Sequence, residues 1–288
     1  MWRLLRTLWT YPRYLRNQRL LAGQLRSLSE FHRRLVRHDY GGFDLDIYLS
    51  DPIAEEWYDR DWIECPEIAF LRKNKLRPGC RVFDIGAHQC VIALMLAKIA
   101  GPSGFVLAVE ANKHNAWAGE KNREINDLPQ LRVLHAAIAA KKGKVIMSEL
   151  LNSAVDDGTS GLGGVEVSSL SIDDLTRAYG VPDVLYIDVE GFELEALKGA
   201  EATIKARPDC FVEVHTRGGL EAYGGSVDSV ASFFASGDYR LYMASGDKRE
   251  FVPFDRNNPI TKERFFLIAT ARTAEEEGGL CEEVKVRP

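Results

Sequence analysis

Between residues 80 and 270 the chain alternates short apolar runs with stretches of helical character, and this alternation limits the fold more than any other feature of the sequence. Repeated units of strand and helix bury their strands in a parallel sheet and place their helices on its two faces. Runs such as 81–86 and 183–189 are largely apolar, which is typical of strands covered on both faces. The sequence therefore predicts an α/β fold built on a mostly parallel sheet.

We assign the longest of these runs to seven main strands. They span 81–86, 105–110, 131–138, 183–189, 210–216, 239–244 and 264–270. Two further strand-like runs lie at 144–150 and 165–172, and helices are predicted over 90–101, 113–127, 171–180, 193–206 and 226–236. Turns but no clear helix separate the last two main runs, so we expect these to form an antiparallel hairpin.

The charge of the chain is divided unequally along its length. Residues 1–40 contain nine arginines and two acids, a charge of +7, which leaves −12 on the rest of a chain whose net charge is −5. An acidic body excludes a nucleic-acid-binding role, because contacts with phosphates need a basic surface. We divide the chain into a basic helical extension over 1–40, an α/β domain over 41–272 and a solvated tail over 273–288, with a Gly-rich mobile lid at 151–164.

The basic extension has two interpretations. Leu21, Leu25, Leu28 and Leu35 recur at helical spacing, which predicts an amphipathic helix over 15–38 that packs on the body or pairs with a second copy in a homodimer. Alternatively, the arginines and the neighbouring tryptophans and leucines bind an anionic membrane surface as a peripheral contact.

The cysteines and the hydropathy bear on where the protein works. Five cysteines without a Cys-x-x-Cys pair indicate reduced thiols rather than a disulfide framework or a zinc site. No apolar run approaches the roughly 20 residues of a membrane-spanning helix. We therefore expect a cytoplasmic protein without a secretory leader.

The ends of the first two strands form the first candidate site. In an open α/β sheet, ligands bind beyond the carboxyl ends of the strands, where Asp84, Gly86 and Glu110 lie. Glycine lets the backbone approach a ligand closely, and a carboxylate suits the hydroxyl groups of a ribose. His88 and Cys90 interrupt a Gly-x-Gly-x-x-Gly pattern after Gly86, which disfavours a dinucleotide such as NAD and favours a nucleoside cofactor without phosphates.

The most specific pattern of the chain is YIDVEGFELEALKGA at 186–200. It is accompanied by VFDIGAH at 82–88, AVEAN at 108–112, the pair Asn122 and Asn126, and FVEVH at 211–215. In the order and spacing of these motifs, the chain resembles the FkbM family of S-adenosylmethionine-dependent methyltransferases from about residue 44 to residue 270.

The resemblance implies a Rossmann-like seven-stranded methyltransferase sheet, mostly parallel with the last strand antiparallel, and S-adenosylmethionine as the cofactor over the first two strand ends. The cofactor-binding residues that it implies are Glu64, Asp84, Gly86, Ala87, His88, Glu110 and Asn112. This chain has His88 where the family usually has asparagine, and Cys90 where the family usually has glycine.

The acceptor side needs a group that takes up the proton of a hydroxyl nucleophile. Alternation along 210–216 places Glu213 and His215 on one side, and Asp188 ends the neighbouring strand in the implied order. We expect all three residues to be catalytic, with His215 as the natural base and either carboxylate orienting it or accepting the proton directly. The same groups are also a ligand set for a divalent cation, but we expect no metal, since nothing in the sequence fixes a diol-like acceptor.

The function that the resemblance implies is O-methylation of a sugar, a glycan or a related secondary metabolite. Two alternatives stay open. One is a cofactor-binding interaction module without turnover, and the other is an NAD-linked oxidoreductase, which the missing glycines disfavour.

Overall fold

The computed structural model describes residues 2–148, 150–152, 155, 164–217, 219–235, 237–245, 250–256 and 264–272. Most of the predicted lid at 151–164 and all of the predicted tail at 273–288 lie outside the described residues. Within the described part of the chain, no helix is both long and apolar enough to cross a membrane.

The chain forms an N-terminal helix and hairpin followed by the α/β series. It opens with α1 (Trp2–Glu30), β1 (Arg34–Asp39), β2 (Asp44–Leu49), α2 (Pro52–Tyr58) and α3 (Pro66–Leu71). The series begins with β3 (Arg81–Ile85), α4 (Val91–Ala100), β4 (Phe105–Glu110), α5 (Lys113–Ile125), β5 (Leu131–His135), β6 (Ala137–Ile138), β7 (Gly143–Met147), β8 (Val165–Leu170), α6 (Ile172–Tyr179) and β9 (Val184–Ile187). It continues with α7 (Glu193–Lys198), α8 (Glu201–Lys205), β10 (Asp209–His215), α9 (Val227–Ser232), β11 (Tyr239–Ser245), β12 (Val252–Pro253) and β13 (Arg264–Ala271).

One sheet forms the centre of the fold, with the strand order β12-β11-β13-β10-β9-β3-β4-β5. β3, β4, β5, β9 and β10 run parallel, whereas β13 is antiparallel to both of its neighbours, β10 and β11. The predicted sheet with its antiparallel last strand is confirmed, and the two-residue β12 extends one edge. The strand order reverses between β3 and β9, which opens a crevice at the carboxyl ends of these strands.

Both faces of the sheet are buried, and alternate side chains divide between two hydrophobic cores. Val82 and Phe211 belong to one core, whereas Phe83, Val212 and Val214 belong to the other. Burial on both faces explains why these strands are continuous apolar runs in the sequence. The two cores hold the strand ends in place, and with them the polar residues that follow each strand.

The N-terminal segment differs from its prediction. The helix α1 ends at Glu30, and Arg34–Asp39 form a strand paired with β2 where the leucine spacing predicts a helix over 15–38. Leu35 is 56% exposed, so it belongs to no buried helical stripe. The hairpin forms because β2 buries every second side chain in the core and offers its backbone to a partner strand.

The described part of α1 contacts the α/β body. Leu21 is buried, and the Gln24 side chain accepts a hydrogen bond of 3.4 Å from the Leu151 backbone N–H.

Two smaller features also bear on the predictions. The helix predicted over 193–206 is divided into α7 and α8 near Gly199, where a Cβ atom would lie 2.4 Å from the Ala139 carbonyl oxygen. The strand-like runs at 144–150 and 165–172 form β7 and β8, which join β6 in a separate small sheet. The helix start at Ser171 is confirmed, because Ser171 and Asp174 exchange the two hydrogen bonds of a capping box.

Candidate active site

A cavity of about 540 Å³ opens at the carboxyl ends of β3, β4, β9 and β10. Seven of the ten predicted site residues line it, namely Asp84, Gly86, Ala87, His88, Glu110, Asp188 and Glu213. Its aromatic lining residues are Trp57, Tyr58, Trp62, Tyr186, Phe192 and Phe266.

The turn after β3 brings the backbone against the end of β9. Gly86 has a φ of +88°, and a Cβ atom there would lie 1.7 Å from the carbonyl oxygen of Asp188. Glycine is required because both the left-handed φ and the contact exclude a side chain. The predicted cofactor half of the cavity, at the ends of β3 and β4, therefore adjoins the predicted acceptor half, at the ends of β9 and β10.

Asp84 supplies a buried carboxylate at the end of β3. The residue is 1% exposed, and its Oδ2 atom has no hydrogen-bond partner among the residues that the structure describes. Burial, together with the nearby Glu110, raises the pKa of Asp84 to about 7. A buried acceptor without a partner is available to a donor group of a ligand.

Glu110 is held in position by two backbone N–H groups. His88 donates to Oε2 at 2.8 Å and Asn112 donates to Oε1 at 2.6 Å. Burial raises the pKa of Glu110 to about 7, although these hydrogen bonds oppose the shift. The Asn112 side chain does not line the cavity, because it caps α5 by accepting hydrogen bonds from the N–H groups of His114 and Asn115.

His88 forms a neutral wall beside this carboxylate. Its Nδ1 atom is hydrogen-bonded to the Tyr58 hydroxyl at 2.7 Å, its ring centre lies 5.0 Å from that of Trp57, and burial lowers its pKa to about 4. The φ of His88 is +47°, a conformation that asparagine and histidine tolerate better than most residues. Cys90 has a φ of +67°, and a Cβ atom at Gly119 would lie 2.4 Å from its Sγ atom.

The structure does not bring Glu64 to the cavity. Glu64 is exposed, and its backbone packs against Gly41 in the turn between β1 and β2. Glu67 in α3, three residues further along the chain, does line the cavity. It is buried and accepts a hydrogen bond of 3.3 Å from the Tyr186 hydroxyl. Burial raises the pKa of Glu67 to about 7. Pro66, typical of a first helical turn, is the sequence signal that places Glu67 at a helix start.

The acceptor half contains the three predicted catalytic residues. β9 and β10 are neighbours in the sheet, so Asp188, Glu213 and His215 come together at their ends. His215 Nε2 lies 3.8 Å from Asp188 Oδ1 and 3.7 Å from Glu213 Oε1. Asp188 and Glu213 line the cavity, whereas His215 lies behind them.

Two glutamates from the loop and helix after β9 also surround His215. Glu193 is fully buried and accepts hydrogen bonds from His215 Nδ1 at 2.7 Å and from the Gly191 N–H at 2.8 Å. Glu190 Oε2 lies 3.4 Å from His215 Nε2. Burial opposes the charge on His215, but the hydrogen bond to Glu193 and the carboxylates of Asp188 and Glu190 raise its pKa to about 9.

The two cavity carboxylates are strongly perturbed. Burial and the neighbouring Glu213 raise the pKa of Asp188 well above its ordinary value. Burial also raises the pKa of Glu213, whereas Arg264 and His215 oppose this shift. Arg264 Nε lies 2.9 Å from Glu213 Oε1 because β13 places Arg264 opposite His215 in the antiparallel register. The sequence analysis missed Arg264, since the strand register is not visible in the sequence.

Two described residues of the predicted lid, Asn152 and Val155, line the cavity. Asn152 Nδ2 donates a hydrogen bond of 3.1 Å to Glu190, and the Tyr223 hydroxyl donates to the Val155 carbonyl oxygen. These contacts connect Asn152 to the acceptor half of the cavity and Val155 to Tyr223.

Comparisons with known proteins agree with the motif analysis. A family model described as the methyltransferase FkbM domain matches residues 84–241, more than half of the chain. No curated protein matches the chain.

Solved structures with a similar chain path include several methyltransferases. A methyltransferase FkbM from Methylobacillus flagellatus KT is 16% identical over 66% of this chain and 43% of its own length, with a TM-score of 0.44. The present chain thus spans less than half of that protein. A SAM-dependent methyltransferase from Aquifex aeolicus is 16% identical over 77% of this chain and 94% of its own, with a TM-score of 0.42. Fibrillarin from Aeropyrum pernix is 11% identical over 85% and 86%, with a TM-score of 0.45.

Proposed function

Because the chain belongs to the FkbM methyltransferase family, we propose that it is an S-adenosylmethionine-dependent O-methyltransferase that acts on a hydroxyl group of a sugar, a glycan or a related metabolite. Methyl transfer and the cofactor follow from the family. The oxygen acceptor is our proposal, and one observation carries it: two carboxylates, the half-buried Asp188 and the buried Glu213, line the cavity beside the cofactor half. A hydroxyl nucleophile must lose a proton, and such a carboxylate can accept it.

The β3–β4 half of the cavity suits the cofactor. Asp84 offers a buried carboxylate oxygen without a partner, and Gly86 keeps the strand end clear of a side chain. We assign Asp84 to a donor group of the methionine and ribose portion, and Glu110 to the ribose hydroxyls, with Ala87 and His88 as the adjoining wall. When bound, S-adenosylmethionine supplies a methyl group on a positively charged sulfur.

Asp188 is the group to which we assign the proton of the acceptor hydroxyl. It lines the cavity, and its buried Oδ1 atom has no hydrogen-bond partner within the described part of the chain. Burial makes this carboxylate a stronger base than an exposed aspartate, which favours proton uptake in the transition state.

His215 acts in this proposal as a positioning residue rather than as the base. It does not line the cavity, and its Nδ1 atom is occupied by Glu193. Its Nε2 atom lies 3.8 Å from Asp188 Oδ1 and 3.7 Å from Glu213 Oε1, so the fixed ring helps to set the position of both carboxylates.

The walls of the cavity support a ring-shaped, hydroxyl-rich acceptor. Trp57, Trp62 and Phe266 provide flat apolar surfaces, while Arg60 and Arg264 provide hydrogen-bond donors. Ligand sites commonly combine such aromatic walls with a few polar groups that fix orientation.

The test uses the purified full-length protein, S-adenosylmethionine with a labelled methyl group, and a panel of sugars, glycans and hydroxylated metabolites. Asp188→Asn should reduce transfer by about 10²–10⁴-fold and leave S-adenosylhomocysteine binding unchanged. Asp44→Asn, the same substitution at an exposed strand residue, should leave both transfer and binding unchanged. Label recovered on nitrogen or carbon would contradict O-methylation. Retained cofactor binding without transfer to any acceptor would favour the non-catalytic module.

A further inference from the structure

The acceptor half of the cavity contains buried polar atoms without hydrogen bonds. Asp188 Oδ1, His215 Nε2 and Glu193 Oε2 are all buried and have no hydrogen-bond partner among the described residues. The Glu193 side chain is fully buried. Glu213 is also buried and adds a carboxylate to the same cluster. Buried polar atoms are normally hydrogen-bonded, so a concentration of exceptions needs an explanation.

The orientation of His215 points to a metal ion. Its Nδ1 atom bonds Glu193, and Glu193 is itself held by the Gly191 N–H, so the ring is fixed with Nε2 toward the carboxylates. Histidines that bind metals almost always use one ring nitrogen for the ion and the other for a carboxylate or carbonyl of this kind.

The distances fit a shared ion. Two ligand atoms that each lie about 2.2 Å from an ion are about 3.1 Å apart at the 90° angle of octahedral coordination and about 4.4 Å apart when they face each other across the ion. His215 Nε2 lies 3.8 Å from Asp188 Oδ1 and 3.7 Å from Glu213 Oε1, too far for hydrogen bonds but within this range. One ligand atom from each of the three residues lies within 4.8 Å of the other two.

We propose that Asp188, Glu213 and His215 bind one divalent cation of the Mn²⁺ type. Two carboxylates balance its charge and supply the oxygen ligands that Mn²⁺ takes, while the imidazole favours a transition-metal ion over Ca²⁺ or Mg²⁺. Asp188 and Glu213 line the cavity, so the remaining coordination positions face the acceptor. Arg264 Nε lies 2.9 Å from the same Glu213 Oε1 atom, so the ion would replace this contact and the Arg264 side chain, already 58% exposed, would turn toward solvent. The geometry thus favours the cation that the sequence analysis disfavoured.

The site goes beyond the proposed function, because cation binding requires neither donor nor acceptor. The experiment is a titration of the full-length, cofactor-free protein with Mn²⁺ alone, followed by electron paramagnetic resonance of the free ion. We expect one bound ion per chain. Asp188→Asn should weaken binding by at least tenfold, and Glu193→Gln, which disturbs only the ring orientation, by about 10–100-fold.

His215→Gln separates a metal site from a mere concentration of acids. In a metal site the loss of the nitrogen ligand weakens Mn²⁺ binding at least tenfold. In a simple acidic cluster the loss of a cationic ring leaves binding unchanged or strengthens it, and this result would overturn the proposal, as would the absence of stoichiometric binding in the wild type. His135→Gln, at an exposed histidine, should bind Mn²⁺ like the wild type.

Folding of each variant is checked by its circular dichroism and by S-adenosylhomocysteine binding. If one of the three variants Asp188→Asn, His215→Gln and Glu193→Gln does not fold, the other two still decide the outcome. Loss of methyl transfer with intact Mn²⁺ binding would count against the proposed function alone, and transfer without Mn²⁺ binding would count against the cation site alone.

Discussion

Asp84→Asn should change the pH dependence of stability in the cofactor-free protein. The carboxyl group is buried, its Oδ2 atom has no hydrogen-bond partner among the described residues, and its pKa rises from an ordinary value of 3.8 to about 7. Since the folded-state pKa lies above the unfolded one, the folded state binds the proton more tightly. The stability from this proton is complete below the unfolded pKa and is lost as the pH rises through the folded pKa.

The magnitude follows from the interval that is crossed. Of the interval from pH 5 to pH 8, about two pH units lie below the folded-state pKa of about 7, where the folded state holds a proton that the unfolded state has lost. Each of these units lowers the free energy of unfolding by about 1.4 kcal/mol. Asp84 alone should therefore lower the free energy of unfolding of the wild type by about 3 kcal/mol between pH 5 and pH 8. Asparagine has nearly the same shape but does not titrate, so Asp84→Asn should not suffer this loss.

The assay is urea denaturation of both proteins at pH 5 and pH 8 without cofactor. The difference in free energy of unfolding between variant and wild type should shift in favour of the variant by about 3 kcal/mol at the higher pH. Asp44→Asn makes the same substitution at an exposed residue and should follow the wild type at both pH values. Parallel pH dependences of Asp84→Asn and the wild type would refute the argument.

Two further substitutions test the backbone contacts of the site. Gly86→Ala should abolish S-adenosylhomocysteine binding measured by calorimetry, because the new Cβ atom would lie 1.7 Å from the Asp188 carbonyl oxygen. The control Gly79→Ala has a similar φ of +85° but no described contact closer than 3.7 Å, so it should bind normally. Equal binding by both variants would contradict this explanation. Asn122→Ala should lower the free energy of unfolding by about 2–4 kcal/mol in urea denaturation, because this buried side chain donates to a backbone carbonyl at 3.0 Å and accepts from a backbone N–H of β2 at 2.7 Å. The exposed Asn74→Ala is the control, and a loss of equal size there would point to a general effect of the substitution.

The sequence predicted the sheet because its strands are buried on both faces. Runs such as 105–109 are apolar at every position and too short for a typical helix, and glycines or prolines bound most of them. It failed at Arg34–Asp39, where a leucine spacing matched a helix although the stability comes from pairing with β2. Pairing of distant residues is a tertiary effect that overrides local propensity.

The site was predictable wherever a functional residue ends a strand. Asp84, Glu110 and Asp188 reach the cavity because the sheet places consecutive strand ends at one edge. Glu64, predicted as a cofactor contact, does not line the cavity, since it lies in the connection between α2 and α3 rather than at the end of a strand. Arg264 was missed because an antiparallel register brings it to Glu213 from the far end of the chain.

Both halves of the cavity contain acidic residues whose negative charge is opposed by burial, so the binding of a cationic ligand should depend on pH. Burial raises the pKa values of Asp84 and Glu110 in one half and of Asp188 and Glu213 in the other. Charging such groups destabilises the empty fold near neutral pH, and a cationic ligand compensates this cost. S-adenosylmethionine should therefore raise the melting temperature of the wild type more at pH 8 than at pH 5, since the acids are ionised at the higher pH. In Asp84→Asn this difference between the two pH values should shrink, because one of the compensated charges is missing. A thermal shift equally dependent on pH in both proteins would mean that the charge of Asp84 has no part in cofactor binding.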